Sequence, residues 1–473
     1  MGEADTSTET AGGVRGSLRE FFEFDRYGTD LGTEAVAGLT TFLTMSYIVV
    51  VNPAILSNAI SLQGYSQPQV ISMLAVVTAL SAALATFIMA VYAKRPFAQA
   101  PGLGLNAFFA FTVVLTLGVS WQTALAAVVV EGILFIALTA VGARKFIIRA
   151  FPEPVKFAVG SGIGAFLALI GLQAMGIVVP DPEGTYITLG NVASNPVAIL
   201  SVIGLFVTFA LYARGVTGSI VIGILLTAGA GYAVEFLGLV APGTLTVNVT
   251  PPVYDITPLV GAFLTGFGNV EPFGFALIVF TFFFVDFFDT AGTLTGVGQA
   301  AGFLDEDGDL PEIEKPLMAD AVGTTVGGML GTSTVTTYIE SATGVEEGGR
   351  TGMTALVVAG LFVLSLAFVP IAAAIPLYAS HIALVVIAVV MLQNVTAIDW
   401  DDITHTVPAG LTILIMPFTF NIGYGIAAGI ISYPVVKAAA GEWEDIRPTQ
   451  VVLAAAFVLY FVVTTGGILE SAV

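Results

Sequence analysis

"FGFALIVFTFFFVDFFDTAGTLTGVG", residues 273–298, is long enough to cross a bilayer as one helix, yet it carries two aspartates, Asp286 and Asp289. A transmembrane helix needs about 20 predominantly apolar residues to span a hydrocarbon core of about 30 Å. A carboxylate at its centre costs roughly 2.5 to 3.5 kcal/mol on insertion scales. The pair must therefore face protein or water rather than lipid. Spaced i, i+3, the two acids lie on one helix face and can share a cavity. Intramembrane carboxylates usually mark substrate or ion pathways. The alternative is that one of them caps or braces a broken helix, with Thr290 or Thr293 as partner.

The rest of the 473-residue chain is built of similar runs, being 56% hydrophobic and 10% charged, against about 25% charged in a soluble domain. The class is an all-α polytopic membrane protein, because the strand-length alternating pattern of an outer-membrane barrel is absent. Apolar runs near 34–51, 71–92, 97–117, 121–143, 157–179, 195–213 and 218–238 make seven segments. A polar link, 239–271, precedes seven more near 273–298, 317–331, 332–347, 352–372, 376–395, 407–420 and 421–439. A last run, 449–467, either crosses the membrane or packs on the bundle.

Charge tests this count. With the N-terminus cytoplasmic, all 14 Lys and Arg residues, from Arg15 through Arg144, Lys145, Arg149 and Lys156 to Arg447, fall on one side, as the positive-inside rule requires. Seven segments per half give the second half the opposite orientation, the inverted repeat found in many secondary transporters. The third run of each half is interrupted in a corresponding way. "AQAPGLGLNAFFAF" (98–111) is broken by Pro101, Gly102 and Gly104, and "GTSTVTTYIESATG" (331–344) is hydroxyl-rich and weakly apolar. Such paired interruptions point to a midplane binding site.

Glu340 lies in the second interrupted segment, where a carboxylate can accept N–H bonds from a ligand or cap a half-helix. Asn106 lies in the first and offers a donor and an acceptor suited to a heterocycle, with helix packing as its competitor. Glu131 is intramembrane without an interrupted partner, which favours a structural hydrogen bond, and Gln173 and Asn394 read as polar packing.

Absences narrow the function. Without Cys there is no disulfide, thiol nucleophile or thiolate metal site, and His381 and His405 alone leave little for a transition metal. No metal or cofactor is expected. Walker, GxSxG and HExxH patterns are missing, which opposes ATP-driven transport and an enzymatic role. A formal net charge of −20 opposes nucleic acid as a partner and suits a high-salt, halophilic cytoplasm. The polar N-terminus carries no signal-peptide pattern.

Four stretches, "GTEAVAGLTTFLTMSYIVVVNPAIL" (32–56), "QAPGLGLNAFFAFTVV" (99–114), "FFVDFFDTAGTLTGVGQAAG" (283–302) and "GTSTVTTYIESATGVEEGGRTGM" (331–353), closely resemble the AzgA-like adenine, guanine and hypoxanthine permeases of the nucleobase:cation symporter-2 (xanthine/uracil permease) family. The resemblance covers about residues 21–439. It implies fourteen segments as a 7+7 inverted repeat, with short extended stretches in segments 3 and 10. After a cytoplasmic tail (1–30), it implies a core domain (31–150 and 272–373) and a gate domain (151–240 and 374–440). The extracellular link is 241–271, and 441–473 exceeds the plan.

The resemblance further implies a substrate held between core and gate by Asp286 and Glu340, with Asn106 nearby and Asp289 important for transport. Thr337 and Phe108, from the two broken segments, complete the candidate set. The function expected is purine import by proton symport through alternating access in the cell membrane, with dimerisation implied by resemblance only. Asp286 is expected to serve the base and Asp289 the proton or a local brace, although both are candidates for proton coupling. Xanthine or uracil as substrate, sodium as coupling ion, an anion carrier of the same architecture and a non-transporting receptor are the alternatives.

Overall fold

The computed structural model describes residues 14–143, 151–181, 186–248, 250–306 and 310–465. Among them, ten helices are long and apolar enough to cross a membrane. In order these are segment 1 (Leu31–Leu56), 2 (Gln67–Ala93), 4 (Trp121–Ala140), 5 (Glu153–Ala174), 6 (Pro196–Ala213), 7 (Ser219–Phe236), 8 (Pro272–Ala300), 11 (Gly352–Ala374), 12 (Leu377–Ala397) and 14 (Ile422–Ala439).

The other four expected segments are short for identifiable reasons. Among the described residues four strands occur: β1 (Gln99–Pro101), β2 (Val178–Pro180), β3 (Ile187–Leu189) and β4 (Val335–Thr337). Segments 3 and 10 open with β1 and β4 and turn helical only over Leu103–Thr116 and Ser341–Glu346. Segments 9 (Glu314–Leu330) and 13 (Ile403–Thr419) have 17 residues each, segment 9 carrying a polar interior and segment 13 two prolines, Pro408 and Pro417.

The two interrupted segments solve each other's backbone problem. Buried N–H and C=O groups with no water must pair within the protein. β1 and β4 pair antiparallel, Gln99 opposite Thr337, Ala100 opposite Thr336 and Pro101 opposite Val335. Two more bonds extend the ladder, Gly102 N–H to Thr334 O at 3.0 Å and Tyr338 N–H to Ala98 O at 2.9 Å. Glycine is required where the strand gives way to helix: a Cβ at Gly102 would stand 2.7 Å from Thr336 Cγ2, and one at Gly104 would stand 2.6 Å from Ile163 Cγ2.

Segments 1, 2 and 11 pack together, segment 9 packs on 2 and 4, and segment 8 on 4. A second group forms where segment 5 packs on 12 and 13, segment 13 on 14, and segment 6 on 7. Segment 8 meets segment 4 through an aromatic ladder that includes Phe283 against Phe135, with centroids 5.7 Å apart.

Loops bearing basic residues gather on one face: Lys94 Nζ is 3.8 Å from Glu23, and Arg95 donates to Pro311 O at 3.0 Å. Lys315 bonds Glu312 there and holds its carboxyl below the usual range. Arg144, Lys145 and Arg149, which the charge count also assigns to this face, lie outside the described residues. The leftover C-terminal run forms helix Pro448–Thr465, packed on segment 14 and touching segment 8 through Phe457 and Phe280, with centroids 5.5 Å apart. Residues 466–467 of that run lie outside the described residues.

One buried carboxylate joins segments 1 and 11. Glu34 is fully buried and accepts from Arg350 N at 3.0 Å, Thr351 N at 3.3 Å, Thr354 N at 3.1 Å and Thr354 Oγ1 at 2.6 Å. It thereby satisfies the orphan donors at the start of segment 11. Glu34→Ala strands those donors, at roughly 1 to 3 kcal/mol each. The expected result is a solubilised protein that loses its monodisperse form at clearly lower temperature than wild type. An unchanged thermal profile would show that water replaces the carboxylate.

Candidate functional site

Where β1 and β4 meet, helix yields to loop on both sides, and a cavity of about 450 Å³ opens between the two helix groups. This volume suits a small organic ligand. Segment 1 contributes Tyr47, segment 8 contributes Phe288 and Asp289, and segment 10 contributes Thr336 to Glu340. From the second group, segment 5 contributes Lys156 and segment 12 contributes Asn394. These parts are the N-terminal half of segment 5 and the C-terminal halves of segments 8 and 12. At the opposite end segment 3 touches the second group, because Thr112 Oγ1 donates to Phe420 O at 2.8 Å.

Two carboxylates face the cavity. Glu340 is half-buried and its Oε1 accepts a 2.6 Å bond from Tyr47 OH. Asp289 is exposed into the space. Lys156 lines the same space, its Nζ 5.8 Å from the centroid of the Phe288 ring. The walls between these groups are flat and apolar, with Phe288, Ile163, Ile387 and Met391. Anionic acceptors, a phenolic hydroxyl and apolar faces can hold a planar, N–H-bearing heterocycle by its edge and its ring.

The expected site residues divide between two places. Glu340, Thr337 and Asp289 line the cavity. Asp286 does not: it is fully buried behind the wall, near Glu131 and Asp320. The expectation that Asp286 meets the substrate therefore differs from its position. Three residues turn a helix by about 300°, leaving the two acids about 60° apart and displaced by about 4.5 Å. Segment 8 stands at the cavity edge, so that angle places one acid in the space and the other against segments 4 and 9.

Asn106 and Phe108 also sit away from the cavity. Asn106 Nδ2 is 3.4 Å from Pro101 O, and its Oδ1 accepts from Ser333 Oγ, so it ties the half-helix of segment 3 to segment 10. Phe108 is buried edge-on against Phe282, with centroids 4.8 Å apart.

Tyr47, Lys156 and Asn394 are cavity residues that sequence reasoning did not select. Lys156 directly precedes the apolar run 157–179 and enters the sequence reading only as a topology marker; the helix begins at Glu153 and so carries it inside its first turn. Asn394 was read as packing; it lies against Gly160, where a Cβ would stand 2.2 Å from its Nδ2.

Comparison with known proteins agrees with this architecture. Residues 32–428 match the family Xan_ur_permease, described as a permease family. Three relatives align over nearly their whole length. A putative permease of Methanocaldococcus jannaschii, MJ0326, is 45% identical over 95% of this chain and 99% of its own. The guanine/hypoxanthine permease PbuG of Bacillus subtilis is 40% identical over 94% and 99%. The adenine permease AdeQ of Escherichia coli is 38% identical over 96% and 98%. Among solved structures, the transmembrane domain of the cyanobacterial bicarbonate transporter BicA superposes with a TM-score of 0.56 at 16% identity, covering 90% of this chain and 97% of that one.

Proposed function

The chain belongs to the Xan_ur_permease family, within its adenine and guanine/hypoxanthine permease branch, and from that premise we propose that it imports purine nucleobases by proton symport. The observation that carries the reading is the pair of acids, Glu340 and Asp289, converging on one cavity between the two groups of helices. Purines are planar and largely neutral near pH 7, so hydrogen bonds and ring contacts must select them. A wrong base would leave buried polar groups unpaired, a strong basis for discrimination.

In this reading the chain lies in the cell membrane as fourteen segments in two inverted sets, with the basic face cytoplasmic. Residues 31–150 and 272–373 form a core that moves against a gate of 151–240 and 374–440. The cavity reaches towards the basic face while Thr112 and Phe420 close the other end, which fits a conformer open to the cytoplasm.

Uptake into proteoliposomes tests the proposal, using labelled adenine, guanine, hypoxanthine, xanthine and uracil with proton, sodium or no gradient. Accumulation of a purine under an inward proton gradient is the expected result. No purine accumulation under either ion gradient would defeat the reading. The rival with a specific observation is an anion carrier, since Lys156 lines the cavity. Two carboxylates lining the same cavity oppose that rival, and labelled bicarbonate in the same assay separates them.

A further inference from the structure

Behind the cavity wall, Glu131 of segment 4, Asp286 of segment 8 and Asp320 of segment 9 form a cluster, all three fully buried. The segments that build it bring no cation close: segment 4 has none, segment 8 has none, and Lys315 of segment 9 lies at an exposed end paired with Glu312. The other elements packed on segment 4, residues 108–116 and 262–269, carry no titratable side chain. Asp289, the remaining acid near Asp286, faces the cavity.

Counting donors separates the three acids. Asp320 accepts from Thr337 Oγ1 at 2.7 Å, Gln99 Nε2 at 3.0 Å and Thr290 Oγ1 at 3.0 Å. The β1–β4 register supplies two of these, because Gln99 and Thr337 are directly paired. Asp286 has only long contacts, Thr290 at 3.4 Å and Thr324 at 3.3 Å. A threonine hydroxyl has one proton to give. Thr290 has its nearer acceptor in Asp320, and Thr324 has its nearer acceptor in Val335 O at 2.7 Å. Neither oxygen of Glu131 has a hydrogen-bond partner among the described residues, and the carboxyls that act on it are those of Asp286 and Asp320. Two carboxyl groups can bond each other only if one carries a proton.

We propose that Glu131 and Asp286 form a proton-holding site behind the substrate cavity, with Asp320 as its fixed, donor-stabilised anion. The route to the cavity is one hydroxyl pair long: Thr290 Oγ1 is 2.7 Å from Thr336 Oγ1, and Thr336 lines the cavity. Among the described residues no three His, Cys, Asp or Glu side chains converge closely enough to hold a metal ion, and a proton is the ligand that two neighbouring carboxyls short of donors can share. Binding is a reversible transfer: one carboxylate oxygen gains the proton that the water-filled cavity loses. The proposal rests on the reading of the chain as a proton-coupled importer.

The test is calorimetry of purine binding in buffers of different ionisation enthalpy, which counts protons taken up, together with proteoliposome flux. Wild type should take up about one proton per purine. Glu131→Gln, a neutral mimic of the loaded site, should bind purine within a few-fold of wild type, take up none, and lose gradient-driven accumulation at least tenfold while exchanging purine down its own gradient. If Glu131→Gln does not fold, Asp286→Asn is read for the same proton count. A variant that folds and keeps the wild-type proton count and accumulation overturns the proposal. Wild-type accumulation driven by sodium alone overturns the proton coupling of the importer instead, and with it this site as a proton site.

Discussion

Glu340→Gln is expected to weaken purine binding by about 10- to 100-fold and to abolish measurable uptake. The estimate follows from a hydrogen bond to a charged group being worth about 1.5 to 3 kcal/mol, with each 1.4 kcal/mol a factor of about ten. Glutamine keeps the shape but replaces one acceptor oxygen with an N–H₂ donor, which opposes the N–H edge of a base. Local structure should survive, because Tyr47 OH, now 2.6 Å from Glu340 Oε1, can donate equally to an amide oxygen. Titration calorimetry on a monodisperse variant reads the change. An affinity within threefold of wild type would remove Glu340 from the substrate.

The second large effect separates the two aspartates of segment 8. Asp289→Asn is expected to lower purine affinity at least tenfold, because its carboxylate faces the cavity. Asp286→Asn removes a carboxylate that reaches no part of the cavity wall, so its main effect should fall on gradient-driven accumulation, with affinity changed far less. The reverse pattern would mean that segment 8 rotates between this conformer and the one that binds purine. Equilibrium binding and proteoliposome accumulation, measured on both variants, distinguish the outcomes.

Polar anchoring at helix ends supports this geometry without entering the cavity. Asp30 caps segment 1 through the N–H groups of Thr33 and Gly32, and Asp402 caps segment 13 through Thr404. These bonds hold both carboxyls below their ordinary range, the Thr33 N–H being the largest cause for Asp30 and the Thr404 hydroxyl for Asp402. Their contribution to stability is thus present above the ordinary carboxylate range and is lost as pH falls through the lowered values.

Much of the fold was legible because hydropathy is a local property. Runs of about 20 apolar residues must be helices in lipid, and the Pro-Gly break at 101–102 and the hydroxyl-rich stretch at 332–337 announced the two places where helix fails. The cost of a buried carboxylate likewise marked Asp286 and Asp289 from composition alone, and the four quoted motifs identified the family. The shortness of segments 9 and 13 was legible too, while their starts, at Glu314 and Ile403, lie three and four residues before the apolar runs, because polar first turns do not register in hydropathy.

Which side chains share a space was decided only by tertiary structure. Asn106 and Phe108 belong to a broken segment, yet Asn106 bonds Ser333 and Phe108 packs on Phe282 away from the cavity, while Thr336 and Thr337 of β4 line it. Glu131 looked like an isolated polar residue because its partners lie 155 and 189 positions away in the chain. Asp286 and Asp289 are three residues apart, and sequence placed them together. The approach of segments 4 and 9 on one side of segment 8, with open space on the other, turned about 60° of helix rotation into a division between a cavity acid and a buried one.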